Sequence, residues 1–436
     1  MPPNEPWLLR SVEVGTDLVD CRIAEGRVVD VAAGLDPLPG EGVVDGAGGA
    51  LLPGLADHHV HVLAMAAARA SIDLAGATDL DHAPAPEGSG WLRVVGAGSE
   101  LTRHDIDRHW GDRPVRVQHR SGALWTLSTA AVEVLAKGLA ETERESGQLW
   151  RADRRLGHLL AEVDDGLDAH LADVGRDLAA RGVTHLTDAT PDLDARGLER
   201  IVSAVPQHVL SMAESGGGPR KIVLPDHTAI DFDEFRATVR ACHGQGRPVA
   251  VHAVTATALA VAIAAFDEVG TLSGDRIEHA AICEDAAAER LAELGLTVVT
   301  QPTVFARHGA KFRQESAPAE RPALWRHAGL LARGIRVVVS SDAPYGDPDP
   351  ARTLHACATR PDEGVRADVV LESYLLEPNR LEAAVRTVAP GAEASLCLLE
   401  VPIRHALAAV ETGGSLGVRA TFISGKCVYA RDFKSL

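Results

Sequence analysis

Aromatic residues are scarce in this 436-residue chain: Phe, Trp and Tyr together make up 4%. A large core must therefore be filled by Ala, Val and Leu, and hydrophobic residues as a whole reach an ordinary 46%. Positive charge is short as well. Lys and Arg number 43 against 61 Asp and Glu, for a formal net charge of -18. Nucleic acid and anionic membrane draw their affinity from basic surface, so both are poor candidate partners. The six cysteines (Cys21, Cys242, Cys283, Cys357, Cys397, Cys427) show no CxxC spacing. That argues against a zinc knuckle or a disulfide scaffold and fits free thiols in a reducing cytoplasm. The start, MPPNEPWLLR, has no basic region followed by an apolar run, so no secretory signal is expected. No apolar run reaches the roughly 18 residues of a membrane span. None of these absences stands against a metal site, which wants local acids and imidazoles.

What is present is a regular alternation. Apolar runs at VTHLTDA, QHVLSMA, RKIVLPD, PVAVHAV, RIEHAAI, LTVVTQP and RVVVSSDAP are separated by Ala/Leu/Arg/Glu-rich stretches such as DAHLADVGRDLAARG, DEFRATVRACHGQG, ALAVAIAAFDEVG, DAAAERLAELG and PALWRHAGLLARG. Several of those stretches end in Gly, the usual helix stop. With LADHHVHV in front, the strands number eight, which predicts an α/β fold built on a (β/α)8 TIM barrel. An open doubly wound sheet is the rival, but no GxGxxG follows the first strand. The two ends of the chain read as short β segments with turns, and they can pair into one small β domain. Residues 80–170 interrupt the alternation with a Pro/Gly/Ser loop (DHAPAPEGSG) and a charged stretch (ETERESGQLWRADRRLG). They read as an insertion after the first barrel strand, over the mouth of the barrel.

The histidines fall at the strand ends, where barrels of this kind keep their active sites. His59 and His61 close the first strand, two apart and so on one face. His252 ends PVAVHA, His279 ends RIEHA, Asp342 ends RVVVSSD, and Lys221 opens KIVLP on the fourth strand. Taken singly, each has an ordinary alternative: a satisfied core histidine, a helix cap at Asp342, a salt bridge at Lys221. Taken together they form a ligand set suited to zinc, manganese or iron(II). His58 faces away from the pair, and His185, on the second strand, is either an outer support for the site or a packed core residue.

The stretch DGAGGALLPGLADHHVHV resembles the first-strand signature of the amidohydrolase superfamily of metal-dependent hydrolases, and PVAVHA, RIEHA and VSSDAP match its later ligand strands in order. PGLADHHVHV, DRIEHAAI and RVVVSSDAPYGDPDP together are most similar to the YtcJ-like branch, which includes N-substituted formamide deformylase. The resemblance covers most of the chain. It implies a small β-sandwich domain from residues 1–54 and 390–436, and a metal-binding barrel over 55–389. It also implies that His59, His61 and Asp342 bind one metal, that His252 and His279 bind a second, and that Lys221 carries a bridging carbamate. The chain departs from the branch at Ala123, where a histidine is common, at Ser128, where an asparagine is common, and in a short segment between strands four and five. These changes touch the substrate side and leave the ligands intact. Relatives are often dimers or larger, so a homo-oligomer is possible.

The implied chemistry is hydrolysis of a C–N bond in an amide, formamide or cyclic amide, with Asp342 shuttling the proton. The alternative is a deaminase of an aminated heterocycle. Such enzymes carry a Glu shortly after the fifth-strand His, whereas HAVTATAL has none. A catalytically inactive metal-binding scaffold is a third possibility, and the full ligand set argues against it. For substrate, the segment after strand seven, PTVFARHGAKFRQ, reads as a basic loop with Arg307, His308, Lys311 and Arg313. With His119 and Arg120 it can clamp a carboxylate, as in an N-acyl amino acid, or it is a solvated loop. Trp125 and Trp325 are candidate apolar walls or ordinary core.

Overall fold

The computed structural model describes residues 5–86, 90–121, 123–160, 166–225 and 228–431, with the side chains of residues 153 and 154 left aside. The chain divides into two compact units, Met1–Val62 with Val174–Leu436, and Leu63–Asp173. No helix among the described residues is long and apolar enough to cross a membrane.

The first unit holds eight parallel strands: β1 (Leu55–Val60), β2 (Val183–Asp188), β3 (His208–Ser211), β4 (Arg220–Val223), β5 (Val249–Ala253), β6 (Arg276–His279), β7 (Thr297–Thr300) and β8 (Val337–Val339). They pair in order as a three-stranded sheet, β3-β2-β1, and a five-stranded sheet, β4-β5-β6-β7-β8. Backbone bonds bridge both gaps. Lys221 N donates to Met212 O at 2.8 Å, beyond the end of β3. Asp342 N donates to His59 O at 2.8 Å and His61 N to Ala343 O at 2.9 Å, tying the segment after β8 to β1. All eight segments expected from the sequence are strands. Runs such as TVVT and VVV are buried throughout, because strands covered on both faces read as unbroken apolar runs.

The helices between them bury one face each against the sheet. In Ala256–Val269, Thr255 caps the start by accepting from Ala258 N at 3.1 Å, and Gly270 follows the end. Its Leu259, Ala262 and Phe266 pack with Val249, Val251, Ile277 and Val298. Burying a side chain the size of Phe266 contributes roughly 1.5–3 kcal/mol.

The two chain ends meet in this unit. Leu51–Pro53 pairs antiparallel with Leu396–Leu399, placing Cys397 opposite Leu52. One four-stranded sheet runs Arg27–Ala32, Asp17–Ala24, Trp7–Val14, Gly42–Asp45, and another runs Lys426–Ala430, Val418–Ile423, Leu396–Leu399, Leu51–Pro53. Leu9, Val12 and Ile23 of the first share one apolar cluster with Leu51, Leu396, Leu398 and Phe422 of the second.

The second unit is built on a five-stranded sheet in the order Gln148–Trp150, Leu124–Leu127, Val115–His119, Leu92–Ala97, Ser71–Asp73. The charged stretch that reads as irregular in the sequence holds the helix Glu141–Ser146, the strand Gln148–Trp150 and the helix Asp153–Leu160. Its apolar residues are few but well spaced: Leu149 and Leu156 bury against Leu127 and Leu135.

Two further expectations are corrected. PTVFARHGAKFRQ is no loop but the helix Pro302–Glu315, opened by Pro at its first position and burying Val304, Phe305 and Gly309. PALWRHAGLLARG is not one helix. It is a 3-10 turn (Arg321–Ala323), an extended Leu324, a left-handed Trp325 and a short helix (Ala328–Leu331). The break arises because this segment pairs with the chain after β6, through Cys283 N to Ala323 O at 2.9 Å and Trp325 N to Ala281 O at 2.8 Å.

Candidate metal centre

The strand ends surround a cavity of about 340 Å³ lined by His59, His61, Lys221, His252, His279 and Asp342, and by Ala189, Pro191, Val223, Val254, Val304, Phe312, Trp325 and Tyr345. All six polar residues expected at the site thus face one space. His61 Nε2 lies 3.3 Å from Asp342 Oδ1, and His59 Nε2 lies 3.5 Å from the same oxygen. Donors about 2.0–2.2 Å from a tetrahedral ion stand roughly 3.3–3.6 Å apart, so these separations fit a shared cation. The His252 and His279 rings are 4.5 Å apart, and His279 is 5.0 Å from His59. Lys221 starts lower in the sheet, opposite Ala250 rather than His252. Its long side chain makes up the difference and brings Nζ to 3.2 Å from His59 Nε2.

Three of the histidines are gripped from behind. His59 Nδ1 meets Glu278 Oε2 at 2.5 Å, His279 Nδ1 meets Gln301 Oε1 at 2.7 Å, and His61 Nδ1 lies 3.2 Å from Thr190 Oγ1. A carboxylate oxygen can only accept. So can the amide oxygen of Gln301, whose nitrogen donates to Val299 O and Ser340 Oγ. The proton of His59 and His279 therefore sits on Nδ1, and Nε2 offers its lone pair to the cavity. Burial holds both imidazoles well below their usual pKa, with Lys221 adding to the effect at His59 and His59 at His279. The Lys221 amine is pushed down to about 8 by burial, against the pull of Glu278 and Asp342.

Glu278, Gln301 and Thr190 were not picked out from the sequence. Glu278 had a signal: a carboxylate and Arg276 two apart in the short strand RIEH. Arg276 Nε lies 2.6 Å from Glu278 Oε1, both fully buried, and Arg276 Nη2 donates to His58 O at 3.0 Å. Adjacent residues in a strand point to opposite faces, yet Glu278 and His279 both reach His59. His279 makes this possible by adopting φ 72. Asp342 (φ 53) and Trp325 (φ 50) are also left-handed. Such backbone costs about 1–3 kcal/mol per residue and gathers at functional sites. At Trp325 it is clamped by Arg360, which donates to the carbonyls of Trp325 and Leu324 at 2.5 and 2.9 Å.

The remaining expected residues lie elsewhere. His58 is buried behind the site, its Nε2 donating to Ser373 O at 2.7 Å. Arg307 is exposed on the helix Pro302–Glu315, and neither it nor His308 lines the cavity; Val304 and Phe312 of that helix do. Trp125 sits in the core of the second unit with Leu127 and Leu149. His119 ends a strand of that unit with Nδ1 2.8 Å from Ser121 Oγ, and Arg120 follows it. His185 is not an outer support for the cavity: it contacts His208 and Glu393 near the start of β2.

The chain belongs to the amidohydrolase family, whose model matches residues 42–429. Among solved structures, an uncharacterized metal-dependent hydrolase from Pyrococcus furiosus superposes with a TM-score of 0.71 at 18% identity, covering 90% of this chain and 98% of its own. N-isopropylammelide isopropylaminohydrolase from Burkholderia multivorans gives 0.59 at 18% identity, covering 98% and 99%. These likenesses speak for the fold, which is of the α/β TIM-barrel type. N-substituted formamide deformylase from Arthrobacter pascens is 27% identical over 204 residues, 43% of this chain and 37% of that protein. The match thus spans little more than a third of that relative's length.

Proposed function

We propose that the chain is a metal-dependent hydrolase acting on a non-peptide C–N bond of a small amide, formamide or cyclic amide. The observation that carries this reading is the convergence of His59, His61 and Asp342 on one buried space, with the outer nitrogens of the histidines held. In this reading the two parallel sheets form one closed eight-stranded barrel, and the two terminal sheets form a β-sandwich. His59, His61 and Asp342 hold a divalent cation, taken as zinc, and His252 and His279 hold a second. Lys221, as a carbamate formed when its neutral amine adds to carbon dioxide and loses a proton, would supply oxygen ligands to the centre. The depressed pKa of the buried amine favours that addition.

A divalent cation bound here supplies Lewis-acid activation of water and of the substrate carbonyl. Asp342 takes the proton that water gives up on adding to the carbonyl carbon, and returns it to the departing nitrogen. Glu278 keeps the His59 ring in place and in one tautomer through that cycle. Val223, Val254, Val304, Phe312 and Trp325 wall the rest of the cavity with apolar surface. These walls suit uncharged substituents. The free cysteines and the acidic charge fit a cytoplasmic enzyme.

The test is amine release from a panel of N-substituted formamides, anilides and cyclic amides. Turnover that chelation abolishes and zinc restores is the expected result. No turnover by metal-replete protein, or turnover indifferent to chelation, would overturn the reading.

A further inference from the structure

A second group of metal-type donors stands away from the cavity, near the start of the parallel strands, and the proposed hydrolysis makes no use of it. His185 and His208 face each other in register on β2 and β3, so their side chains leave the sheet on one side. Their rings lie 4.9 Å apart at 32°. Both Nε2 atoms turn to one carboxylate: His208 Nε2 is 2.6 Å from Glu393 Oε1, and His185 Nε2 is 3.8 Å from Glu393 Oε2. The three donors fall within 4.8 Å of one another. His185 is three residues before the end of β2, so its backbone lies about 10 Å below the rim that bears the first site.

The geometry points to a divalent transition-metal site at His185, His208 and Glu393, taking zinc and cross-linking the start of β2 and β3 to the segment that leads into Leu396–Leu399. Two imidazoles and a carboxylate are a zinc-type donor set. The His185 side chain is nearly buried, and Thr184 Oγ1 lies 2.8 Å from its Nδ1. That hydroxyl can accept the Nδ1 proton and leave Nε2 free to ligate. Arg386 Nη1 also faces this nitrogen, at 3.3 Å, while Arg386 is anchored through its other amino group, Nη2, which donates to Gly54 O at 2.6 Å and Tyr374 O at 3.2 Å; with an ion bound, the Nδ1 proton goes to Thr184 and the longer Nη1 contact is given up. The 3.8 Å gap between His185 and Glu393 is too long for a hydrogen bond and near the spacing of two ligands on one ion, whereas the 2.6 Å contact of His208 with Oε1 is a hydrogen bond that must open, with loss of its proton, for an ion to enter. His208 and Glu393 side chains are 43% and 47% exposed, so an ion can enter from solvent and keep a water as a further ligand. Ser395 Oγ and Ser424 Oγ donate to Glu393 Oε1 at 2.7 and 3.1 Å, which fixes the carboxylate. The competing account is a purely hydrogen-bonded latch with no ion.

The full chain, already loaded at its first site, is equilibrated with zinc and desalted, and its zinc content is measured by plasma mass spectrometry. Wild type is expected to hold one ion more per chain than His208→Ala or Glu393→Gln, and to gain a zinc-dependent rise in melting temperature that both variants lack. His61→Ala, which disturbs the first site, is expected to retain the rise. Equal zinc content in wild type and both variants would overturn the proposal in favour of the latch. Should the variants fail to fold, wild type decides. Carbethoxylation of His208, followed by peptide mass spectrometry, is expected to fall severalfold when zinc is added. Unchanged labelling would overturn the proposal.

Discussion

The two histidine–carboxylate groups of the first unit use the same residue types to opposite ends. At the cavity, His59 and Asp342 side chains are 1% and 11% exposed, and the outer nitrogens of the histidines are tied to Glu278, Gln301 and Thr190. Their inner faces are left turned on a shared space. In the other group, the carboxylate of Glu393 already accepts from His208, Ser395 and Ser424, and two of the three residues are open to solvent. Composition alone does not separate such groups. What separates them is which side of each ring is already satisfied, and how deeply the groups are buried. A cavity faced by lone pairs is equipped for chemistry; a carboxylate held on several sides is equipped to join segments.

The strongest way to break this division is at the carboxylates. Asp342→Asn keeps the shape but cannot take up the proton, and kcat should fall about 10²–10⁴-fold. His208→Ala should leave steady-state turnover unchanged. A comparable loss in both would erase the distinction. The next effect is on metal affinity. Glu278→Gln removes the negative charge behind His59 and leaves one oxygen to serve both His59 and Arg276, and affinity measured against a chromophoric chelator should drop roughly 10–100-fold. Unchanged affinity would mean that Glu278 serves only Arg276.

Acid separates the two groups further in metal-free protein. The pKa of His59 is lowered in the fold, mainly by burial, so its contribution to stability is present above the ordinary value of 6.5 and is lost as pH falls below it. The carboxyl of Glu393 is lowered by the imidazoles of His185 and His208 that face it, so its contribution is present above 4.5 and is lost only below that. Urea unfolding between neutral pH and pH 3 should show His59→Asn removing part of the earlier loss. Glu393→Gln should remove a smaller, later part, below about 1 kcal/mol because the carboxylate is half exposed. The reverse order would contradict the assignment of burial to the two groups.

Much of this was legible in the sequence. The eight parallel strands are legible as short segments rich in Val, Ile and Leu between helical stretches, most plainly VAVHA, TVVT and VVV. The ligands are visible as the polar residues that close those runs. Pairing of the chain ends also followed from their β character. Other features depend on contacts distant in sequence. Leu324 is extended and Trp325 left-handed because this segment pairs with the chain after β6, which helical propensity does not report. The helix Pro302–Glu315 was masked by its charges, although Val304 and Phe312 recur at its helical spacing. Glu278 was hidden by strand parity, which places it opposite His279 until the left-handed turn at His279 brings both to His59. His185 reads as either an outer support or a packed core residue because the sequence does not give its height along β2.

The most direct test of the central claim is the metal content of the full chain purified without chelator or His-tag, compared with Lys221→Ala. Both are measured in the His208→Ala background so that an outer cation is not counted. Two ions per chain, falling to one or none without the lysine, is the predicted result. A single ion in both would contradict the bridged centre, and no ion in either would contradict the metal-dependent hydrolase itself.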